Sequence, residues 1–178
     1  WTARELAMQM ARHWEAASKD LGRGFISDWL RKELHDQDLA RAALDMLDDS
    51  GMSADERLLR VLVKMAPDLP PVWKQWSLAK ADLIAAANRA NRGDEKCQSL
   101  FSELHEIDVV RIYAEAGNTE CKRIRADRRV SKLIIALKAQ DDERKLRIQE
   151  GLKKIAEVNL AAKERFLARV KAAMSSSN

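Results

Sequence analysis

A single ungapped shift of 70 positions lays residues 81–111 over residues 11–41, and this internal repeat constrains the fold more than any other feature of the chain. Nine identities fall in 31 positions: Ala11, Ala16, Ala17, Leu30, Glu33, Leu34, His35, Asp38 and Arg41 meet Ala81, Ala86, Ala87, Leu100, Glu103, Leu104, His105, Asp108 and Arg111. Repetition at this scale points to a stacked helical architecture. The period exceeds that of common solenoid repeats, so the unit is read as a duplicated group of several helices. The spacing fits none of the tetratricopeptide, ankyrin or HEAT consensus patterns.

The pattern between the repeats is helical. Leu6, Met10, Trp14 and Ala17 recur at 4-4-3 spacing, predicting one helix over residues 2–18 that ends near Gly22 and Gly24. Phe25, Ile26, Trp29, Leu30 and Leu34 form the expected buried face of a second helix. Asp36 is the expected N-cap of a third, which carries Leu39, Ala43, Leu44 and Leu47. Ser53 and Glu56 have capping-box spacing ahead of Leu58, Leu59, Val61, Leu62 and Met65. With only six Gly and three Pro, and no convincing alternation of apolar and polar residues, no strand is expected. The expectation is an all-α protein of nine or ten helices, two related multi-helix units in a short solenoid-like or orthogonal stack with a long basic C-terminal helix.

Pro67, Pro70 and Pro71 interrupt the helical pattern, because proline lacks the N–H donor and disfavours helix in the residue before it. The expected division is therefore a first unit at 1–66, a junction at 67–80, a second unit at 81–140, a long amphipathic helix at 141–174 and a flexible tail at 175–178. Trp73 and Trp76 are expected to wedge into the core at the junction, with Trp14 and Trp29 also core. Further helices are predicted from the second unit's start to about Arg92, from Asp94 through Leu104, up to Gly117, and from about Thr119 to Gln140.

Charge separates the chain. Residues 1–121 hold 16 Lys and Arg against 21 Asp and Glu, net −5, whereas residues 122–178 hold 16 against 7, net +9. An acidic partner would be drawn to the last third. Lys122, Arg125, Arg129 and Lys132 recur at 3-4-3 spacing and are expected to share one helix face, able to meet successive phosphates or an acidic protein surface. The absence of aromatic residues there speaks against single-strand recognition by stacking. Further on, Ile148, Leu152, Ile155, Asn159, Ala162, Phe166 and Val170 fall on one narrow stripe, a seam expected to dock on the body of the protein or, failing that, to pair with another helix.

Candidate chemistry is sparse. Glu33, His35, Asp36 and Asp38, with Glu103, His105, Glu106 and Asp108 in the second copy, offer acid/base or metal-compatible groups. Occurrence at both helix junctions favours capping over coordination, which needs three or four converging ligands. There is no Gly-rich phosphate loop, nucleophile elbow or zinc-protease motif, and Cys97 and Cys121 lack ligand spacing. No catalytic residue, metal or cofactor is expected. The expected function is a non-catalytic protein-interaction module in the cytoplasm, without membrane insertion, pairing with an unidentified protein or a second copy through the C-terminal helix. The alternatives are nucleic-acid binding through residues 122–132 and, more remotely, an acid/base or metal enzyme using the Glu-Leu-His strings.

Overall fold

The computed structural model describes residues 1–175, with side chains through residue 168. Val170 and the tail at 175–178 therefore lie outside the side chains described. The described chain is mostly helical: α1 (Ala3–Arg12), α2 (Trp14–Gly22), α3 (Phe25–Lys32), α4 (Gln37–Asp48) and α5 (Ala54–Met65), then α6 (Lys80–Asn91), α7 (Glu95–Glu106), α8 (Val109–Glu115), α9 (Thr119–Ala126) and α10 (Arg128–Ser175). Between α5 and α6 two short strands, β1 (Val72–Trp73) and β2 (Trp76–Ser77), pair antiparallel.

The hairpin corrects the expectation of no strand. Pro70 and Pro71 hold the chain extended into β1, and Lys74 takes φ +54° in the two-residue turn. Two-residue hairpins require such positive φ. A strand of two residues is too short to show alternation.

Two other boundaries differ from expectation. The helix foreseen over 2–18 is broken at His13 (φ −116°, ψ 49°), after which Trp14 is buried. The helix foreseen over 119–140 stops at Ala126, and α10 begins at Arg128 instead of near residue 141. Asp127 is responsible: its backbone is extended and its carboxylate accepts the Arg129 N–H at 2.9 Å, the geometry of an N-cap.

By compactness the chain divides into one unit at Trp1–Lys138 and a second from Ala139 onward. A single apolar core runs through the first unit, from Ala7 in α1 to Leu137 in α10. Trp73, 1% exposed, is its largest fully buried side chain, and the ring of Trp14 meets it edge-on at 5.4 Å. Trp29 and Trp76 are only half-buried against this core, Phe25, placed on a buried face above, is exposed, and so is Leu44.

Polar contacts tie the proline segment to helices far along the chain. The buried Asn118 donates to the carbonyls of Pro67 and Leu69 while its Oδ1 caps α9 at Cys121 N. Each buried donor and acceptor thus finds a partner, which keeps the desolvated amide from being costly.

The repeated segments share helix order: α3 and α7 begin 70 residues apart, at Phe25 and Glu95, and Ala17, Ala87, Leu30 and Leu100 are all buried. Their Glu-Leu-His strings differ in conformation. His35 stands outside α3 at φ +53°, while His105 lies inside the last turn of α7 and positive φ falls on Asp108 instead.

Candidate functional site

Chemistry-bearing side chains converge at the hairpin. Lys74 Nζ lies 3.1 Å from Asp55 and 2.8 Å from Glu103, and 5.5 Å from the centre of the Trp73 ring. Trp14 donates its indole N–H to Asp55 at 2.7 Å, and Trp73 donates to Glu103 at 2.7 Å. Burial pulls the Lys74 ammonium down, but hydrogen bonds to Glu103 and Asp55 outweigh it and leave the pKa raised. Lys74 is therefore an ammonium at neutral pH, a cationic pin between two carboxylates and not an amine nucleophile. An open cleft of about 1120 Å³ lies alongside, lined in part by Arg12, His13, Trp14, Lys19, Asp55 and Lys74.

The residues singled out in the Glu-Leu-His strings are dispersed in role. Asp36 caps α4 by accepting Leu39 N–H at 2.9 Å. Its counterpart Glu106 stays within α7, and Asp108, although next to α8, uses its carboxylate on Arg111 at 2.7 Å. Glu103 belongs to the hairpin cluster, whereas Glu33 is exposed. His35, Asp38 and His105 are exposed too. Among the described residues no three His, Cys, Asp or Glu groups gather in a metal-binding arrangement. Both cysteines are buried, and burial pushes the Cys121 thiol up to about 12 and raises that of Cys97.

No family model, curated protein or solved structure matches this chain. Its surfaces must speak for it.

The basic run is divided by Asp127. Lys122 and Arg125 lie on α9, Arg129 and Lys132 on α10, so the four do not share one continuous helix face as expected. All four are exposed, and none makes an ion pair among the described residues. Asp127 pairs instead with Lys80 at 2.6 Å.

The seam lies on α10 and is open. Ile148, Leu152, Ile155, Asn159 and Phe166 are all exposed, Leu152 by 61% and Phe166 by 65%. Val158, Leu160 and Leu167 are also exposed, at about 80° to 120° round the helix from this stripe. Ungapped 4-3-4-3-4 spacing from Ile148 to Phe166 keeps the stripe within about 40° of one line at 100° per residue.

Sequence reasoning found the seam but missed the hairpin cluster, since Trp14, Asp55, Lys74 and Glu103 come from four separated segments. The one local signal was the string Pro70-Pro71-Val72-Trp73-Lys74-Gln75-Trp76, where paired prolines precede two bulky residues about a two-residue turn.

Proposed function

We propose that this chain is a non-catalytic protein-interaction module, a helical scaffold that meets its partner through α10. The observation that carries the reading is the row of large apolar side chains left in solvent from Ile148 to Phe166. Contiguous exposed apolar surface on a helix is a recognised mark of interaction sites, because water contact with it is unfavourable until a partner covers it. Helix-in-groove and helix-pairing recognition both use anchors at this spacing. The Lys74 cluster supports the non-catalytic half of the reading: its charged groups satisfy one another and hold the hairpin closed.

We read the molecule further as two related halves, at 11–41 and 81–111, in a short helical stack. The matching starts of α3 and α7 and the shared burial of Ala17 with Ala87 and Leu30 with Leu100 support this. The different conformations at His35 and His105 mean that the junctions of the two halves have diverged.

The test is a photo-crosslinker placed at Leu152 or, as control, at Glu157 on the opposite face. In its native cells a discrete protein adduct at Leu152, absent at Glu157 and lost on Phe166→Asp, is expected; equal or absent labelling at both sites contradicts the reading. A second reading, phosphate binding by Lys122, Arg125, Arg129 and Lys132, is supported by the exposure of these four cations. It requires duplex affinity that falls steeply between two salt concentrations and a shallower salt slope for Arg125→Ala or Arg129→Ala.

A further inference from the structure

We propose that the apolar pocket between α1 and the proline segment binds a small carboxylic acid, its hydrocarbon part in the pocket and its carboxylate on Arg12. The pocket holds about 200 Å³. Met8, Leu62, Ala66, Leu69, Pro70 and Val72 line it, and all of them belong to the unit at Trp1–Lys138. A cavity of about 150 Å³ with such walls takes up benzene, so an aromatic ring or a chain of about five carbons fits here. Larger cofactors occupy roughly 300–1,000 Å³ and do not fit.

The walls offer water little. Tyr113 also borders the pocket, but its hydroxyl is committed to both backbone groups of Val72. The carbonyl of Ala66 accepts the Leu69 N–H at 3.2 Å, and that of Leu69 accepts the Asn118 amide at 2.9 Å. Water against these side chains has few hydrogen bonds to make, and replacing it with hydrocarbon is favourable.

One charge is left over at the mouth. Arg4, Met8 and Arg12 follow one another at intervals of four along α1 and so share a face. Arg4 pairs with Asp68 of the proline segment, whereas Arg12, about two turns on, has no ion pair or side-chain hydrogen bond among the described residues. Arg12 also lines the open cleft of about 1120 Å³, which shares Ala11 and Val72 with the pocket, so the two spaces border each other there. The Lys, Asp and Glu side chains of that cleft are already engaged: Lys19 holds Glu15, and Lys74 holds Asp55. A single uncommitted guanidinium matches a single negative charge, and its planar fork fits a carboxylate. A phosphate dianion calls for further cations.

The experiment titrates the full chain with sodium hexanoate, hexanamide and inorganic phosphate while following methyl NMR signals. Hexanoate is expected to shift the methyls of Met8, Leu62, Leu69 and Val72 saturably, with a Kd on the order of 1 mM. Hexanamide should move the same methyls and bind at least about fivefold more weakly. Arg12 is exposed, so Arg12→Gln is expected to fold normally; it should bring hexanoate down to the affinity of the amide and leave hexanamide binding unaltered. Equal affinity for acid and amide in the unaltered chain, or a preference untouched by Arg12→Gln, overturns the assignment of the carboxylate. Tighter binding of phosphate than of hexanoate at these methyls overturns the class of ligand. No saturable shift up to about 20 mM hexanoate, or shifts centred on the cations of α9 and α10, overturns the pocket as the site.

Discussion

The phenol of Tyr113 closes on both backbone groups of Val72, accepting its N–H at 3.1 Å and donating to its carbonyl at 2.9 Å. Forty-one residues separate the two. Burial, only partly offset by these bonds, pushes the phenol up to about 12, so it remains a neutral donor throughout the physiological range. Tyr113→Phe removes the oxygen and leaves a half-buried N–H and carbonyl unpaired. A loss of about 1–3 kcal/mol is expected, read as a lower denaturation midpoint at unchanged m.

Lys74 combines an unfavourable backbone with favourable side-chain contacts. At φ +54° any Cβ costs about 1–2 kcal/mol, which glycine avoids. Lys74→Ala loses both ion pairs and keeps the backbone cost; Lys74→Gly loses the pairs and relieves it. Lys74→Gly should therefore be the more stable variant by about 1 kcal/mol in equilibrium unfolding. The pH dependence has a definite sign. Because the folded pKa is raised above 10.5, the contribution of Lys74 is whole below that value and disappears as pH rises through the folded one. The gap between wild type and Lys74→Ala, which keeps the backbone cost, should hold from neutral pH to about pH 10.5 and narrow above it; a gap that narrows between pH 7 and pH 10 contradicts the ion-pair role.

Asn118 faces two carbonyls with its NH2 and one N–H with its oxygen. Asn118→Asp puts a carboxylate oxygen against Pro67 O and Leu69 O, so at neutral pH it should destabilise more than Asn118→Ala. Protonation restores a donor. Part of the loss in Asn118→Asp should be recovered at acidic pH relative to Asn118→Ala in parallel melts, and identical pH profiles would contradict this placement.

The thiols of Cys97 and Cys121 are buried, with Cys121 pushed up to about 12 by that burial. Neither should react with a thiol reagent at pH 8 in the folded protein, and both should react at once in denaturant. Rapid labelling of either thiol in the native state rules out the burial described.

Much of the helical frame was legible because capping chemistry is local. Asp36, Ser53 and Asp94 each accept the N–H three residues on, as their spacing with the following apolar residues implied. The breaks at His13 and Asp127 were not legible. A helix-compatible residue at His13 carries no local stop signal, and Asp127 lies in a run whose periodicity continues through it. Thr2 and Glu5 form a reciprocal capping box whose spacing is equally local. The Trp14–Asp55–Lys74–Glu103–Trp73 cluster depends on tertiary approach, which no spacing rule reports. The seam was legible from its spacing, but its solvent exposure is a property of the folded chain that no spacing reports.

Hydrogen exchange along the chain, with and without the protein captured by the crosslinker at Leu152, tests the interaction surface most directly. Slowing confined to amides between about residues 144 and 168, and abolished by Leu152→Asp with Phe166→Asp, is the predicted result. Slowing centred on residues 1–126, or none anywhere at saturating partner, contradicts the role given to α10.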